Sequence, residues 1–192
     1  MKNFILFNLF FIISFTFYSQ SQKKDIKLGV SFSPLVSKTE SVDSGISGIV
    51  LRPSIAYYVS NKSSIELNFT YATSNDIEVT NIPSNYHSYA ITPVFRYNFI
   101  NNSKLRLFGE AGYGLGSITF YANEDELRNS THKFLSGVIS VLEIGVGANY
   151  LFNNKWGFEL SVPYINSKTI SASGNPELYN GIAPTLGIIY IL

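Results

Sequence analysis

The sequence predicts an all-β fold: an eight-stranded antiparallel up-and-down transmembrane β-barrel over residues 22–192, after an N-terminal signal peptide over residues 1–21. Three observations predict it. Apolar and polar residues alternate with period two through most of the chain, the period of a strand with two unlike faces. Charged residues make up only 14%, against ~25% in an average soluble domain. The chain opens on a lysine and an apolar run too short to cross a bilayer as a helix.

That opening segment is Met1-Lys2-Asn3, an apolar stretch from Phe4 to Tyr18, then Ser19, Gln20 and Ser21. An apolar run of about 15 residues suits a signal peptide and falls short of the ~20 that a spanning helix needs. Cleavage is expected after Ser19 or Ser21; the alternative is an uncleaved anchor. The net charge is +1, and losing Lys2 leaves 13 basic against 13 acidic residues. Nucleic-acid binding calls for a basic face, so no nucleic-acid partner is expected. The absence of cysteine excludes a disulfide framework, a cysteine zinc site and a thiol nucleophile. The 13 Tyr and 15 Phe suit strands and membrane interfaces.

Strands are expected at 26–36, 47–60, 64–73, 87–99, 105–120, 136–152, 155–166 and 180–192. Ile65, Leu67, Phe69 and Tyr71 share one face, against Glu66, Asn68, Thr70 and Ala72. Ile91, Pro93, Phe95, Tyr97 and Phe99 oppose Thr92, Val94, Arg96 and Asn98. Trp156, Phe158, Leu160, Val162 and Tyr164 oppose Gly157, Glu159 and Ser161.

In a soluble barrel the apolar face would line a core; in a membrane barrel it meets lipid and the polar face lines the lumen. The polar face decides for the membrane. It carries Lys27, Arg52, Glu66, Arg96, Arg106, Glu110, Glu143 and Glu159, four charges of each sign, while the apolar face carries none. A lipid-facing Arg or Lys costs ~2–4 kcal/mol at the bilayer midplane, which accounts for the charge-free side. The polar face is also rich in small residues, among them Gly29, Ser31, Gly112, Gly145, Gly147 and Gly187. They fit a lumen that eight strands leave just wide enough for side chains. Unpaired charges there would be costly, so the eight are expected to pair into a plug. The alternative is a narrow polar path.

Connections alternate in length. Asn61-Lys62-Ser63, Asn101-Asn102-Ser103-Lys104 and Asn153-Asn154 are short; 37–46, 74–86, 121–135 and 167–179 are long and polar. Short periplasmic turns and longer external loops are the asymmetry of outer-membrane barrels. Leu51-Arg52-Pro53, Ile91-Thr92-Pro93 and Ile182-Ala183-Pro184 open three returning strands alike, so hairpins form the repeating unit. Proline gives the ladder no donor, so Pro53, Pro93, Pro163 and Pro184 are expected at bulges or the external rim. Phe99, Tyr150, Phe152, Trp156 and Tyr190 cluster toward the short turns, and Tyr71, Tyr89 and Tyr164 toward the long loops, as in two interfacial girdles.

The chain ends Thr185-Leu186-Gly187-Ile188-Ile189-Tyr190-Ile191-Leu192. Thr185, Gly187, Tyr190 and Leu192 resemble the terminal signal of bacterial outer-membrane barrels, with Leu192 where the usual last residue is Phe. With the proline-bearing return strands, the whole chain resembles the outer-membrane β-barrel domain family that includes PorT-like and OmpA/OmpX-like small barrels. That resemblance implies a Gram-negative outer-membrane location, with outer-membrane lipids and the barrel-assembly machinery as partners. It supplies no catalytic residue.

Little else points to chemistry. His87 and His132 lie where a lipid-modifying enzyme would need a base, but no local motif joins a Ser, a His and an acid. Asn123-Glu124-Asp125-Glu126 lacks the spacing of a calcium loop. Gly109-x-x-Gly112-x-Gly114-x-Gly116 alternates within a strand and suits a crowded lumen better than a phosphate. No catalytic, metal or cofactor site is expected. The reading is a closed barrel serving the envelope as a structural, assembly or surface-interaction component, with an unidentified protein partner at the external loops. Its alternatives are a lipid A-modifying enzyme, a narrow pore and a periplasmic lipid-binding barrel.

Overall fold

The computed structural model describes residues 25–37, 46–79, 82–124, 130–170 and 177–192. The expected leader lies outside them. Nine strand segments follow in order: β1 (Ile26–Ser37), β2 (Ile46–Tyr58), β3 (Ser63–Val79), β4 (Ile82–Asn101), β5 (Leu105–Glu124), β6 (Ser130–Leu151), β7 (Trp156–Thr169), β8 (Glu177–Ile182) and β9 (Thr185–Ile191). Each pairs antiparallel with its neighbour in sequence, except that β8 and β9 both pair with β7 as two halves of one stave. β1 closes the ring on β9, from Lys27↔Ile191 to Phe32↔Leu186. The result is a closed eight-stave barrel.

The strands' two faces go where lipid and lumen demand. Phe32, Ile65, Phe95, Ile144, Phe158 and Leu186 are exposed on the outside. All eight predicted lumen charges are buried. A soluble barrel would hide the apolar face and wet the charged one; here the order is reversed, which rules out the soluble lipid-carrier alternative.

Short turns close one end. Asn153 Oδ1 accepts hydrogen bonds from the N–H groups of Lys155 (2.8 Å) and Trp156 (2.6 Å), the side-chain turn that asparagine favours. At that end Trp156 packs on Tyr190 with ring centres 4.7 Å apart, and Phe152 on Phe158 at 5.4 Å. At the other end Tyr71 packs on Tyr89 at 5.0 Å.

β3 to β6 outrun the sequence reading. They are 17, 20, 20 and 22 residues long, where ~9–11 span a bilayer. The surplus lies beyond the long-loop end, so much of 74–86 and 121–135 is strand rather than loop. The alternation marked only the part of each strand with a lipid-facing side, where lipid and lumen impose opposite chemistry.

The prolines also differ from expectation. None sits at a bulge. The β2–β3 ladder passes from Leu51↔Tyr71 to Ser54↔Asn68 without changing register, skipping Pro53. Likewise β4–β5 passes from Ile91↔Leu115 to Val94↔Gly112 around Pro93. The eighth stave breaks at Ala183-Pro184 opposite Pro163, where Ala183 N–H still donates to the Pro163 carbonyl at 2.9 Å. On its other side each mid-strand proline keeps its pair: Val30↔Pro53, Leu67↔Pro93 and Gly145↔Pro163. A ladder can lose one N–H on one side and stay in register.

Tight curvature fixes some glycines. A Cβ on Gly116 would lie 2.0 Å from the Tyr89 carbonyl oxygen and 2.8 Å from Ala90 Cα, both backbone. At Gly109 the nearest contact would be an ordinary 3.9 Å. Gly116→Ala is therefore expected to destabilise the barrel by at least ~1–3 kcal/mol, and Gly109→Ala to leave it unchanged. The fraction of protein with boiling-sensitive gel mobility after refolding checks both.

Candidate functional site

The charged layer takes one side chain from each of seven consecutive staves: Lys27, Arg52, Glu66, Arg96, Glu110, Glu143 and Glu159 from β1 to β7. Alternation aims them inward, and the ladders bring Arg96 directly opposite Glu110. Glu66 lies diagonal to Arg96 on the neighbouring β3–β4 ladder, and the remaining pairs join staves that are not neighbours.

Arg96 is the hub. Its Nη2 lies 2.7 Å from Glu110 Oε2, and its Nη1 lies 2.6 Å from Glu159 Oε2 and 3.5 Å from Glu66 Oε2. Its guanidinium stacks 3.7 Å from the centre of the Phe108 ring. That ring fits because Gly147 faces it; a Cβ there would stand 2.4 Å from Phe108 Cζ. Lys27 bridges Glu66 at 2.8 Å and Glu159 at 2.9 Å. Arg52 spans the barrel's width to Glu143 at 2.6 Å. Fixed in plane by several carboxylates, an arginine fork specifies geometry as well as charge.

Arg106 departs from the four-against-four pairing expected of the sequence. It is buried, but its Nη1 donates to Tyr58 Oη at 3.0 Å and its guanidinium faces the Tyr58 ring at 5.5 Å. The guanidinium turns to Tyr58 rather than along β5 to Glu110, four residues on.

The terminal residues alternate as well. Thr185 and Gly187 face inward, Thr185 bonded to Ser161, while Leu192 is exposed and Tyr190 meets Trp156 and Lys155. Leu192 N–H donates to the Ile26 carbonyl at 2.9 Å.

Sequence reasoning missed the other half of the lumen. Toward the long-loop end, Val50, Ala72, Ile118, Phe120, Ile139, Tyr179 and Ala183 form a buried apolar cluster. Here apolar residues occupy both faces, which erases the alternation that would have revealed it. His87 sits on the outer wall near this end. Its Nδ1 lies 2.9 Å from Tyr71 Oη, and its ring stacks on Tyr71 and meets the edge of Tyr121. The side chains of His132, Asn123 and Glu124, and residues 125 and 126 altogether, lie outside what the structure describes. Among the described residues no cluster of His, Asp and Glu is arranged to hold a metal.

The family model for the outer membrane protein β-barrel domain matches residues 7–187. No curated protein matches the chain. Among solved structures, OprG from Pseudomonas aeruginosa aligns with TM-score 0.55 and 18% identity, over 91% of this chain and 97% of that one. Ail from Yersinia pestis aligns with TM-score 0.53 and 17% identity, over 89% and 100%. Neisserial surface protein A aligns with TM-score 0.50 and 14% identity, over 86% and 96%. These likenesses place the fold among small outer-membrane barrels.

Breaking one partner of a buried ion pair strands the other, at a cost of ~3–5 kcal/mol, whereas replacing both by apolar groups of similar volume is often neutral. Arg96→Met and Glu143→Leu should each lower stability by about that amount, and Arg52→Met/Glu143→Leu should recover most of the Glu143→Leu loss. Urea unfolding in detergent micelles measures all three.

Proposed function

The chain belongs to the outer membrane protein β-barrel domain family and resides in the Gram-negative outer membrane, and on that premise we propose that it is a closed barrel whose work is done at the cell surface. The observation that carries this is the surplus length of β3 to β6. The β5–β6 ladder continues to Glu124↔Ser130, while the β6–β7 ladder ends at Ile139↔Thr169. The four strands thus rise past the bilayer as a sheet. Among the described residues, Ser130–Gly137 lie beyond the last β6–β7 pair, so this stretch of β6 offers its backbone edge. An extended protein segment adds to such an edge through main-chain hydrogen bonds. The partner in this reading is a protein at the surface. Ail, of like fold, is named an attachment invasion locus protein.

The charged layer supports the closed state. The void among Arg52, Glu66, Arg96, Glu110 and Glu159 measures about 10 Å³, at the lower limit for one water. A hydrated ion needs more. A lipid A-modifying role would rest on His87 or His132; the described partners of His87 are tyrosines, and that chemistry requires an acid to orient the base.

Two measurements test the reading. In planar bilayers the wild-type barrel is expected to show no steady conductance; a steady ion current abolished by Arg96→Ala would make it a pore instead. Trimming β5–β6 by removing 121–133 should leave boiling-sensitive mobility intact but fail to restore the surface binding or aggregation lost with the gene. Full restoration by the trimmed barrel would move the function from the external sheet to the barrel itself.

A further inference from the structure

Beyond the charged layer, on the long-loop side, the described residues leave the lumen unfilled. A chamber of about 80 Å³ remains there, against about 10 Å³ within the layer itself. Eight-stranded barrels are just wide enough for side chains to fill, so open volume at this point reflects the residues chosen. Ala72 and Ala90 point inward where larger side chains would close it, and Val50, Ile118, Ile139 and Ile165 supply apolar walls. A cavity of ~150 Å³ takes up benzene, so this one is sized for a smaller molecule.

Ser33, Thr70, Ser88 and Ser167 place hydroxyls in the same lining, and the floor adds a guanidinium. Arg52 lines the chamber and is only 6% exposed. It commits Nη1 to Glu143, while its Nε–H is buried without a hydrogen-bond partner. Glu143 already neutralises its charge, and a second carboxylate brought beside Glu143 would be repelled. The donor therefore matches a neutral acceptor.

We propose that this chamber binds a small, neutral, mostly apolar molecule bearing one hydrogen-bond acceptor, such as a ketone, with its apolar body between Ile118, Ile139 and Ile165 and its acceptor toward Arg52. The molecule enters from the cell exterior and goes no farther, because the charged layer lies beneath it. The site is independent of the external sheet, so it stands or falls apart from the surface reading.

The test is a titration of the full barrel, methyl-labelled at Ile and Val in nanodiscs, with acetone as the probe. Saturable shifts and intermolecular NOEs are expected at Val50, Ile118, Ile139 and Ile165. They should vanish in Ala90→Leu, which fills the chamber, and Ala72→Leu serves if that variant does not assemble. Outward Ile55, Ile91 and Ile144 should change only in proportion to probe dissolved in lipid. A response confined to those outward methyls, or an inward response that survives filling, overturns the site. In Arg52→Met/Glu143→Leu, acetone should weaken about tenfold while isobutene, of the same shape without the acceptor, does not. Equal behaviour of the two probes there would overturn the role of Arg52.

Discussion

A backbone in lipid has no water to turn to, so every N–H that crosses the bilayer must find a carbonyl within the protein. The ladder between β1 and β9 meets that demand by closing the ring, and most other features follow from closure. Closed eight-stave geometry fixes the lumen's width, and with it the small residues that let strands approach. The prolines show how far the demand can be relaxed. Proline carries no N–H to leave orphaned, so each gap at Pro53 or Pro93 costs only an acceptor its partner. Buried carbonyls tolerate that better than buried donors do.

The charged layer answers a different problem. With lipid outside and an apolar lumen inside, both faces of a strand would be equally welcome on either side. Slipping a strand by one residue turns its whole inward set outward. Arg96, Arg52 or Lys27 would then meet lipid, at ~2–4 kcal/mol each near the midplane. Buried ion pairs are poor sources of net stability; their use here is to make the correct register the only affordable one. Below the chamber the lumen is specified by charge, and above it the same space is lined by aliphatic groups, where specification is weaker and volume is left over.

The sequence revealed what has two contrasting faces. Strand identity, the inward set from Lys27 to Glu159 and the outward aromatics near both rims could all be read from period-two alternation, because lipid and lumen impose opposite chemistry on adjacent residues. It failed where that contrast disappears. The outer reaches of β3 to β6 lack that alternation and read as loop. Ile118 and Ile139 are apolar among apolar neighbours, so nothing marked them as inward. Arg106 looked like a partner for a carboxylate because face and charge were legible, while the distance across the lumen and the position of Tyr58 were not. The proline gaps escaped because a strand can be interrupted on one side alone, a possibility that residue preference does not encode.

The order in which the seven charges occur along the chain has a consequence for assembly. Staves β1 to β4 bring three cations and one carboxylate; β5 to β7 bring three carboxylates and, with Arg106, one cation. Before closure, then, the leading and trailing halves of the sheet carry opposite electrical sign on the faces that will meet. A curling sheet of this kind is drawn shut by its own field. Neither half can satisfy all its charges alone, so a partly built barrel is electrically frustrated until the last staves arrive.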